Sequence, residues 1–209
     1  MHIADGILPL PVVAGGMAVM AAGVALGMRK LDLEAIPKTG VVTAGLFVAS
    51  LVHIPVGPGS VHPLMIGAAG ILLGWPVFPA YLIALLLQVL FFGFGGLFML
   101  GVNTVIMACP ALIIHYVFRF FHAPGQGPRS FMLLGGLCGG AGILLSGLAA
   151  MSVLLTVGRS YAATAQWILA AHIPVMIGEA FITAALLHFV RQVRPDLLPQ
   201  PLYRGNATV

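Results

Sequence analysis

Seven apolar stretches joined by short polar connections are the feature that most limits how this 209-residue chain can fold. They run over roughly residues 10–28, 40–56, 62–75, 78–92, 97–121, 131–157 and 167–190. Hydrophobic residues make up 60% of the sequence and charged residues 7%, whereas soluble domains carry about 25% charged residues. A lipid bilayer removes the need to bury such a surface, and it requires each span to satisfy its own backbone hydrogen bonds. The sequence therefore predicts an all-α, polytopic membrane protein.

The distribution of basic residues predicts the number of spans and their orientation. With seven spans, all nine Lys and Arg residues except Arg159 fall on one side of the membrane. Basic residues concentrate in cytoplasmic loops, so we expect the N-terminus outside and the C-terminus in the cytoplasm. Merging the third and fourth stretches would leave six spans and would place Arg119 and Arg129 opposite the basic pair at 29–30. About seven transmembrane helices are therefore predicted, the third and fourth short or tilted.

Residues 1–194 are predicted to form a single transmembrane domain with an inserted N-terminal metal-binding segment, and residues 195–209 a short cytoplasmic tail. The opening sequence has no basic region and no small-residue cleavage site, so we expect no cleaved signal peptide. Methionine removal generally requires a small second residue, and His2 is large. Met1 is therefore expected to remain, with an unmodified α-amine on the outer side of the membrane.

The dipeptide Met1-His2 is a chelating group by its covalent structure. The α-amine, the deprotonated His2 amide nitrogen and Nδ1 of the His2 ring close a five-membered and a six-membered ring around one ion. Three coplanar nitrogens leave one corner of a square, which suits Ni(II), Cu(II) or low-spin Co(II), whereas zinc prefers a tetrahedron and Mg²⁺ prefers oxygen. A second-position histidine also occurs by chance, but the apolar residues Ile3, Ile7 and Leu8 favour a segment that folds back into the bundle.

His62 is the candidate for the fourth corner. It lies in the Gly/Pro-rich connection of residues 53–63, on the predicted outer side. Irregular backbone at membrane depth is tolerated where it lines a cavity. Alone, His62 would be an ordinary histidine at the start of a helix, but its place on the same side as Met1-His2 favours a role as a ligand.

Four further residues are candidates for supporting the site: Asp5, His53, His172 and Glu179. Asp5 could fix the tautomer of a liganding histidine by accepting a hydrogen bond, or it could be an ordinary turn residue. His53 and His172 could orient a liganding imidazole, or they could cap and pack the ends of spans. Glu179 is the only acidic residue deep inside a span, where ionisable residues are functional by default. It could order the site, contact a partner or pair with a polar group.

Four sequence blocks carry a resemblance to a known family. They are MHIADGIL at the N-terminus, GPGSVHPLMIG, QVLFFGFGGLFMLGVNTVIM (Gln88–Met107) and HIPVMIGEAFIT (His172–Thr183). In these blocks the chain resembles the CbiM/NikM family, the substrate-capture (S) subunits of energy-coupling-factor (ECF) transporters for nickel and cobalt. The blocks occur in the family's order, and the resemblance covers nearly all of the chain before the tail.

The resemblance implies a ligand set and an assembly. The metal would be held by the Met1 amine, by the backbone and ring of His2, and by His62. The transported substrate would be Ni(II) or Co(II), with nickel favoured by a planar nitrogen square. The expected partners are a transmembrane coupling subunit, a cytoplasmic ATPase pair and often a small accessory membrane subunit, all in the inner (cytoplasmic) membrane. Membrane lipid would surround the chain, and no nucleic acid is expected to bind it.

Two other function classes make different demands on the sequence. A stand-alone nickel/cobalt permease, the alternative function, usually carries H-x₄-D-H inside a span, and an intramembrane metalloprotease needs HExxH or an equivalent pair. Neither spacing is present, and a GK[ST] phosphate loop is absent too. We therefore expect a transporter subunit that is not an enzyme and that depends on partners for ATP hydrolysis. The small residues Ala14, Ala18 and Ala22 of the first span could pack on such a partner or on another span.

Overall fold

The computed structural model describes residues 3–52, 54–56 and 59–202, and it describes only the backbone of residues 54–56, 59–61, 159 and 165. Met1, His2 and His53 lie outside the described residues. Seven α-helices follow one another within them: α1 Leu10–Arg29, α2 Ala35–Ala49, α3 Ile66–Leu73, α4 Val77–Phe92, α5 Leu100–Phe121, α6 Pro128–Leu155 and α7 Ala162–Val193. The strands β1 (Ile54–Val56) and β2 (Gly59–Val61) pair as an antiparallel hairpin between α2 and α3. Single 3₁₀ turns cover Arg159–Tyr161 and Pro195–Leu197.

Each predicted apolar stretch overlaps one of these helices, which confirms the all-α fold. Among the described helices, α1, α5, α6 and α7 are long and apolar enough to cross a membrane. The helices α2 and α4 are shorter, with 15 and 16 residues. Pro11 lies in the first turn of α1 and Pro128 begins α6, positions where the missing N–H costs no helical hydrogen bond. The predicted orientation across the membrane stays a prediction.

The helix α3 is much shorter than the span predicted for residues 62–75. It has eight residues, which rise only about 12 Å, whereas the hydrocarbon core of a bilayer is about 30 Å thick. All eight residues are buried, so other helices surround α3. The third stretch therefore consists of an irregular segment, residues 62–65, followed by a half-length helix.

Side chains from distant helices satisfy the backbone at both ends of α3. At its start, the N–H groups of Leu64 and Met65 each donate to Glu179 Oε1 at 2.6 Å. At its end, Nδ1 of His115 lies 3.1 Å from the carbonyl oxygen of Gly70, to which it donates. Helix ends without partners are costly, above all away from water. These bonds explain why the helix can end halfway through the bundle.

Glycines bring the helices around α3 into direct backbone contact. A Cβ atom on Gly67 of α3 would lie 2.5 Å from Cα of Gly139 in α6. A Cβ atom on Gly139 would in turn lie 2.6 Å from the carbonyl oxygen of Glu179 in α7. The helices α6 and α7 also form the most extensive helix pair. Small residues at these crossings fix the position of α7, and therefore of Glu179, relative to α3.

The small residues of α1 divide between two faces. Gly23 is buried, and a Cβ atom there would overlap the ring of Phe78 in α4. Ala14, Ala18 and Ala22 are exposed instead. These three alanines therefore lie on a face of α1 that no other part of the described chain covers.

The chain after α7 lies along the C-terminal end of α5 as far as the structure describes it. Arg119 Nε donates to the carbonyl oxygen of Gln200 at 2.8 Å. The N–H of Leu202 donates to the carbonyl oxygen of Arg119 at 3.0 Å. These two hydrogen bonds hold the backbone of residues 200–202 against Arg119 of α5.

Candidate metal centre

His62 follows β2 directly and is buried, with 7% of its surface exposed. Its Nδ1 lies 3.0 Å from the carbonyl oxygen of Pro63. A carbonyl oxygen can only accept, so Nδ1 must carry the proton in this contact. The lone pair of the neutral ring is then on Nε2, which is the nitrogen that a metal ion would bind.

A small cavity lies beside the His62 ring. Its volume is about 10 Å³, close to what one water molecule needs. Besides His62, the cavity is lined by Leu46, Ser50, Pro63, Leu64, Tyr81, Ala84, Leu85, Gln88 and Met107. Gln88 Oε1 is buried and has no hydrogen-bond partner in the described part of the chain. The cavity thus has room for about one water molecule beside the ring of His62.

The described part of the N-terminal segment, from Ile3 onward, packs against α5 and α1. The N–H of Ile3 donates to Asn103 Oδ1, and Asn103 Nδ2 donates to the carbonyl oxygen of Ile3, both at 3.0 Å. The Asn103 amide thus binds both backbone polar groups of Ile3, as a residue of a neighbouring β-strand would. Ile3 and Leu8 are buried in an apolar cluster that also contains Val13 of α1 and Val102 of α5. The first described residue is therefore fixed by both hydrogen bonds and packing.

The contact of Ile3 and the His62 cavity share one face of α5. Asn103, which holds Ile3, and Met107, which lines the cavity, are four residues apart on this helix. Residues at that spacing lie on the same face, about 6 Å apart along the axis. The structure thus brings the N-terminal segment and the candidate ligand His62 to the same end of the bundle.

Two of the predicted supporting residues lie on the buried face of α7. His172 and Glu179 are 4% and 1% exposed, and their spacing of seven residues places them two turns apart on one side of the helix. Nδ1 of His172 lies 2.6 Å from the carbonyl oxygen of Ile168, one turn earlier. Glu179 binds the backbone that follows His62, whereas the described polar contact of His172 stays within α7.

Asp5 anchors the N-terminal segment at a second point. Its Oδ1 accepts a hydrogen bond from the N–H of Met99 at 3.1 Å, just before α5 begins. Its carboxylate also lies where Gly96 would carry a side chain. The described contact is thus to backbone at the start of α5. The predicted bond from His2 or His62 to Asp5 stays a prediction, and His2 and His53 lie outside the described residues.

Three residues near the site were missed by the sequence analysis: Asn103, Tyr81 and Gln88. Asn103 and Gln88 are amides inside apolar helices, and each is 3% exposed. Tyr81 is equally buried, and its hydroxyl donates to the carbonyl oxygen of Leu64 at 2.7 Å. A polar group inside a membrane helix is a usable signal, because it must find a partner there. The sequence did not identify the partner.

The described residues contain no group of three or more His, Cys, Asp or Glu side chains that could hold a metal ion. Two further histidines, His2 and His53, lie outside these residues.

The fold and the site define a multi-spanning membrane protein with a buried histidine beside an inserted N-terminal segment. The sequence model of the CbiM family, described as "Cobalt uptake substrate-specific transmembrane region", matches residues 2–197. The chain belongs to this family. It is therefore a substrate-specific transmembrane component of a transition-metal uptake family.

Relatives named for cobalt and for nickel transport are similar along almost the whole chain. A protein of Haemophilus influenzae, provisionally named a metal transport protein, is 42% identical over 95% of this chain and 97% of its own length. The cobalt transport protein CbiM of Geobacter sulfurreducens is 32% identical over 95% of this chain and 61% of its own length. The fused nickel transport protein NikMN of Rhodobacter capsulatus is 28% identical over 95% and 64%. The chain thus spans less than two thirds of these last two relatives.

Two crystal structures share the fold. A transition metal transporter superimposes with a TM-score of 0.75 over 92% of this chain and 93% of its own, at 24% identity. A truncated transition metal transporter gives 0.73 over 92% and 99%, also at 24% identity. These similarities also support the fold described above.

Proposed function

We propose that this chain is the metal-capturing S subunit of an ATP-driven ECF importer for Ni(II) or Co(II). Membership of a cobalt-uptake family supports the class of substrate. The names of the relatives from Geobacter sulfurreducens and Rhodobacter capsulatus support both metals. The metal is the transported substrate, and the chain itself performs no chemical conversion.

The proposed ligands are the Met1 amine, the amide and ring nitrogens of His2, and Nε2 of His62. The observation that carries this set is the anchoring of Ile3 by Asn103, one turn of α5 from the His62 cavity. The peptide bond ties His2 to this anchored residue, because consecutive Cα atoms are about 3.8 Å apart. The His62 tautomer supports the same set, since its proton is on Nδ1.

Nickel is the favoured substrate of the two. Four nitrogens in one plane suit a low-spin d⁸ ion, and Ni(II) accepts such a tetragonal field readily. Low-spin Co(II) accepts it as well. Zinc fits less well because it prefers a tetrahedron, and Mg²⁺ because it prefers oxygen ligands.

Partners are part of the proposal, because uptake against a gradient needs an energy source. The partners would be a transmembrane coupling subunit, a cytoplasmic ATPase pair and a small accessory membrane subunit, in the cytoplasmic membrane. The exposed alanines Ala14, Ala18 and Ala22 support a protein contact on α1, since small residues allow a second helix to approach closely.

The ligand set is tested by stoichiometry in purified, detergent-solubilised protein. We expect wild type to hold one Ni²⁺ per chain, and His2→Ala and His62→Ala each to lose it. One extra residue before Met1 should be as damaging, because it converts the amine into an amide. His122→Ala, at the C-terminal end of α5, is the matched histidine control and should retain the ion. Undiminished binding after both the His2 and the His62 substitutions would refute the site.

The ECF assignment needs a separate test in cells. Radioactive Ni²⁺ uptake should require a co-expressed coupling subunit and ATPase pair, and it should be lost when the ATPase carries a disabled phosphate loop. Uptake that persists with this chain alone would identify a stand-alone nickel/cobalt permease instead.

A further inference from the structure

The turn after His62 is held by side chains from two helices. Both N–H groups of Leu64 and Met65 donate to one oxygen of Glu179, in α7, at 2.6 Å. The carbonyl oxygen of Leu64 accepts from the Tyr81 hydroxyl, in α4, at 2.7 Å. Leu64 therefore has both of its backbone polar groups bound to buried side chains, two residues from the candidate ligand.

Met65 has a conformation that this turn would not adopt unaided. Its φ is 55° and its ψ 27°, and it is the one non-glycine residue with positive φ in the described chain. A left-handed conformation is uncommon for a residue with a side chain and persists where the surroundings impose it. The bond from the Met65 N–H to Glu179 is such a constraint. The path of the chain from His62 into α3 thus depends on a residue 114 positions away.

The chemistry of Glu179 suits a clamp. A carboxylate that accepts backbone N–H groups forms charge-assisted bonds, about twice as strong as neutral ones, and a poorly hydrated interior strengthens them further. Both bonds use Oε1, whereas Oε2 is buried with no partner in the described part of the chain. A glutamine at this position would keep the accepting oxygen, whereas an alanine would leave the N–H groups of Leu64 and Met65 without this acceptor.

We infer that Glu179 and Tyr81 are positioning residues. By binding the backbone of residues 64–65, they hold Nε2 of His62 in the fourth ligand position of the square-planar metal site. This inference rests on the proposed function, in which His62 is a ligand. Because the two clamping side chains belong to α7 and α4, the turn is fixed relative to both helices. A relative movement of α4 and α7 would displace the ring and weaken its bond to the ion.

The test compares Cu²⁺ and Ni²⁺ binding by variants in two backgrounds, wild type and His62→Ala. Cu²⁺ serves as a probe because it binds nitrogen sites most tightly among divalent first-row metals, so the dipeptide can hold it without His62. In the wild-type background we expect Glu179→Ala to weaken Ni²⁺ binding about thirtyfold or more and Tyr81→Phe about fivefold, as loss of charged and neutral hydrogen bonds would. Glu179→Gln should lose only about fivefold, because its oxygen still accepts both bonds but without the charge.

Positioning is distinguished from general stability by coupling and by spectroscopy. In the His62→Ala background, Glu179→Ala should no longer change Cu²⁺ affinity, because the two residues act through one ligand. Electron paramagnetic resonance of bound Cu²⁺ should report four nitrogens in wild type and three in Glu179→Ala. Thr183→Val, one turn further along the buried face of α7, is the matched control and should keep four nitrogens.

Two outcomes separate failure of this inference from failure of the proposed function. Equal losses from Glu179→Ala in both backgrounds, or four nitrogens retained in that variant, would overturn the clamp while leaving the ligand set standing. Unchanged affinity in His62→Ala alone would remove the ligand on which both depend. If Glu179→Ala does not fold, Tyr81→Phe decides, because it deletes one oxygen and keeps the ring.

Discussion

The candidate metal centre and the crossing of α3, α6 and α7 both join distant segments, but through different interactions. At the metal centre, residues 3–8 and 62–65 are non-helical, and helix side chains bind their backbone. At the crossing, Gly67 and Gly139 bring backbones so close that a Cβ atom would overlap a neighbour. The structure of the first region depends on hydrogen bonds from particular polar side chains. The structure of the second depends on the small size of its glycines.

Glu179 belongs to both regions and connects them. Its carboxylate binds the turn after His62, while its carbonyl oxygen lies where Gly139 would carry a side chain. Tight packing of α6 on α7 therefore sets the height of the carboxylate relative to α3. A rigid scaffold and an irregular binding segment are thus coupled at one residue, so changes in the two regions should differ in kind. A volume change should mainly lower the stability of the fold, and a lost hydrogen bond should mainly weaken metal binding.

The largest effect is expected from Gly139→Ala. Its Cβ would lie 2.6 Å from the Glu179 carbonyl oxygen and 2.7 Å from Thr183 Oγ1, and backbone cannot move aside cheaply. Overpacking of this kind costs up to about 3 kcal/mol. Thermal unfolding in detergent should show a large fall in the midpoint temperature.

Gly140→Ala is the matched control for that prediction. Its Cβ would meet its nearest neighbour, the Met176 carbonyl oxygen, at 3.5 Å, which is ordinary contact. The midpoint should therefore change little. Equal midpoints for the two variants would show that close packing does not distinguish the crossing from the rest of α6.

An intermediate effect is expected from Asn103→Ala, and it should fall on binding. The substitution removes both hydrogen bonds to Ile3, at about 1 kcal/mol each. Ni²⁺ affinity should therefore fall roughly thirtyfold, while the unfolding midpoint changes far less than in Gly139→Ala. Isothermal titration and thermal unfolding on the same preparation measure both quantities.

Thr104→Val supplies the control for Asn103→Ala. Thr104 is the next residue on α5, and in the described part of the chain its hydroxyl donates to the carbonyl oxygen of Leu100, within the helix. It should keep wild-type affinity. If Asn103→Ala instead lowers the unfolding midpoint and keeps the Ni²⁺ affinity, Asn103 contributes to stability as the helix crossing does, and the proposed difference between the two regions is wrong.

The sequence predicted the number of helices because lipid imposes one simple rule on every span: apolar residues outside and hydrogen bonds inside. It failed on the length of α3, since both ends of that helix depend on residues far away in the chain. Glu179 is 115 positions from Leu64, and His115 is 45 positions from Gly70. No local pattern carries that information.

The candidate site was predicted unevenly for a similar reason. His62 and an inserted N-terminal segment could be proposed from the sequence because a Gly/Pro-rich connection and a chelating dipeptide are visible along the chain, and their role as a metal site stays a prediction. Asn103 was missed, since its partner Ile3 is 100 positions away and an isolated amide in a helix predicts only that some partner exists. The assignment of Met1 and His2 as ligands stays a prediction, because they lie outside the described residues.

The smallest effect is expected at Asp5, a surface residue that makes both a hydrogen bond to Met99 and a close contact with Gly96. Its side chain is exposed, and its bond to the Met99 N–H is 3.1 Å long, so Asp5→Ala should weaken Ni²⁺ binding by about threefold or less. Asp5→Asn keeps an accepting oxygen and should match wild type. Gly96→Ala should exceed both, since its Cβ would overlap the Asp5 carboxylate at a residue whose φ is 107°. If Asp5→Ala instead abolishes binding in isothermal titration, the aspartate acts on the ion or its ligands directly, and the anchoring described for it is secondary.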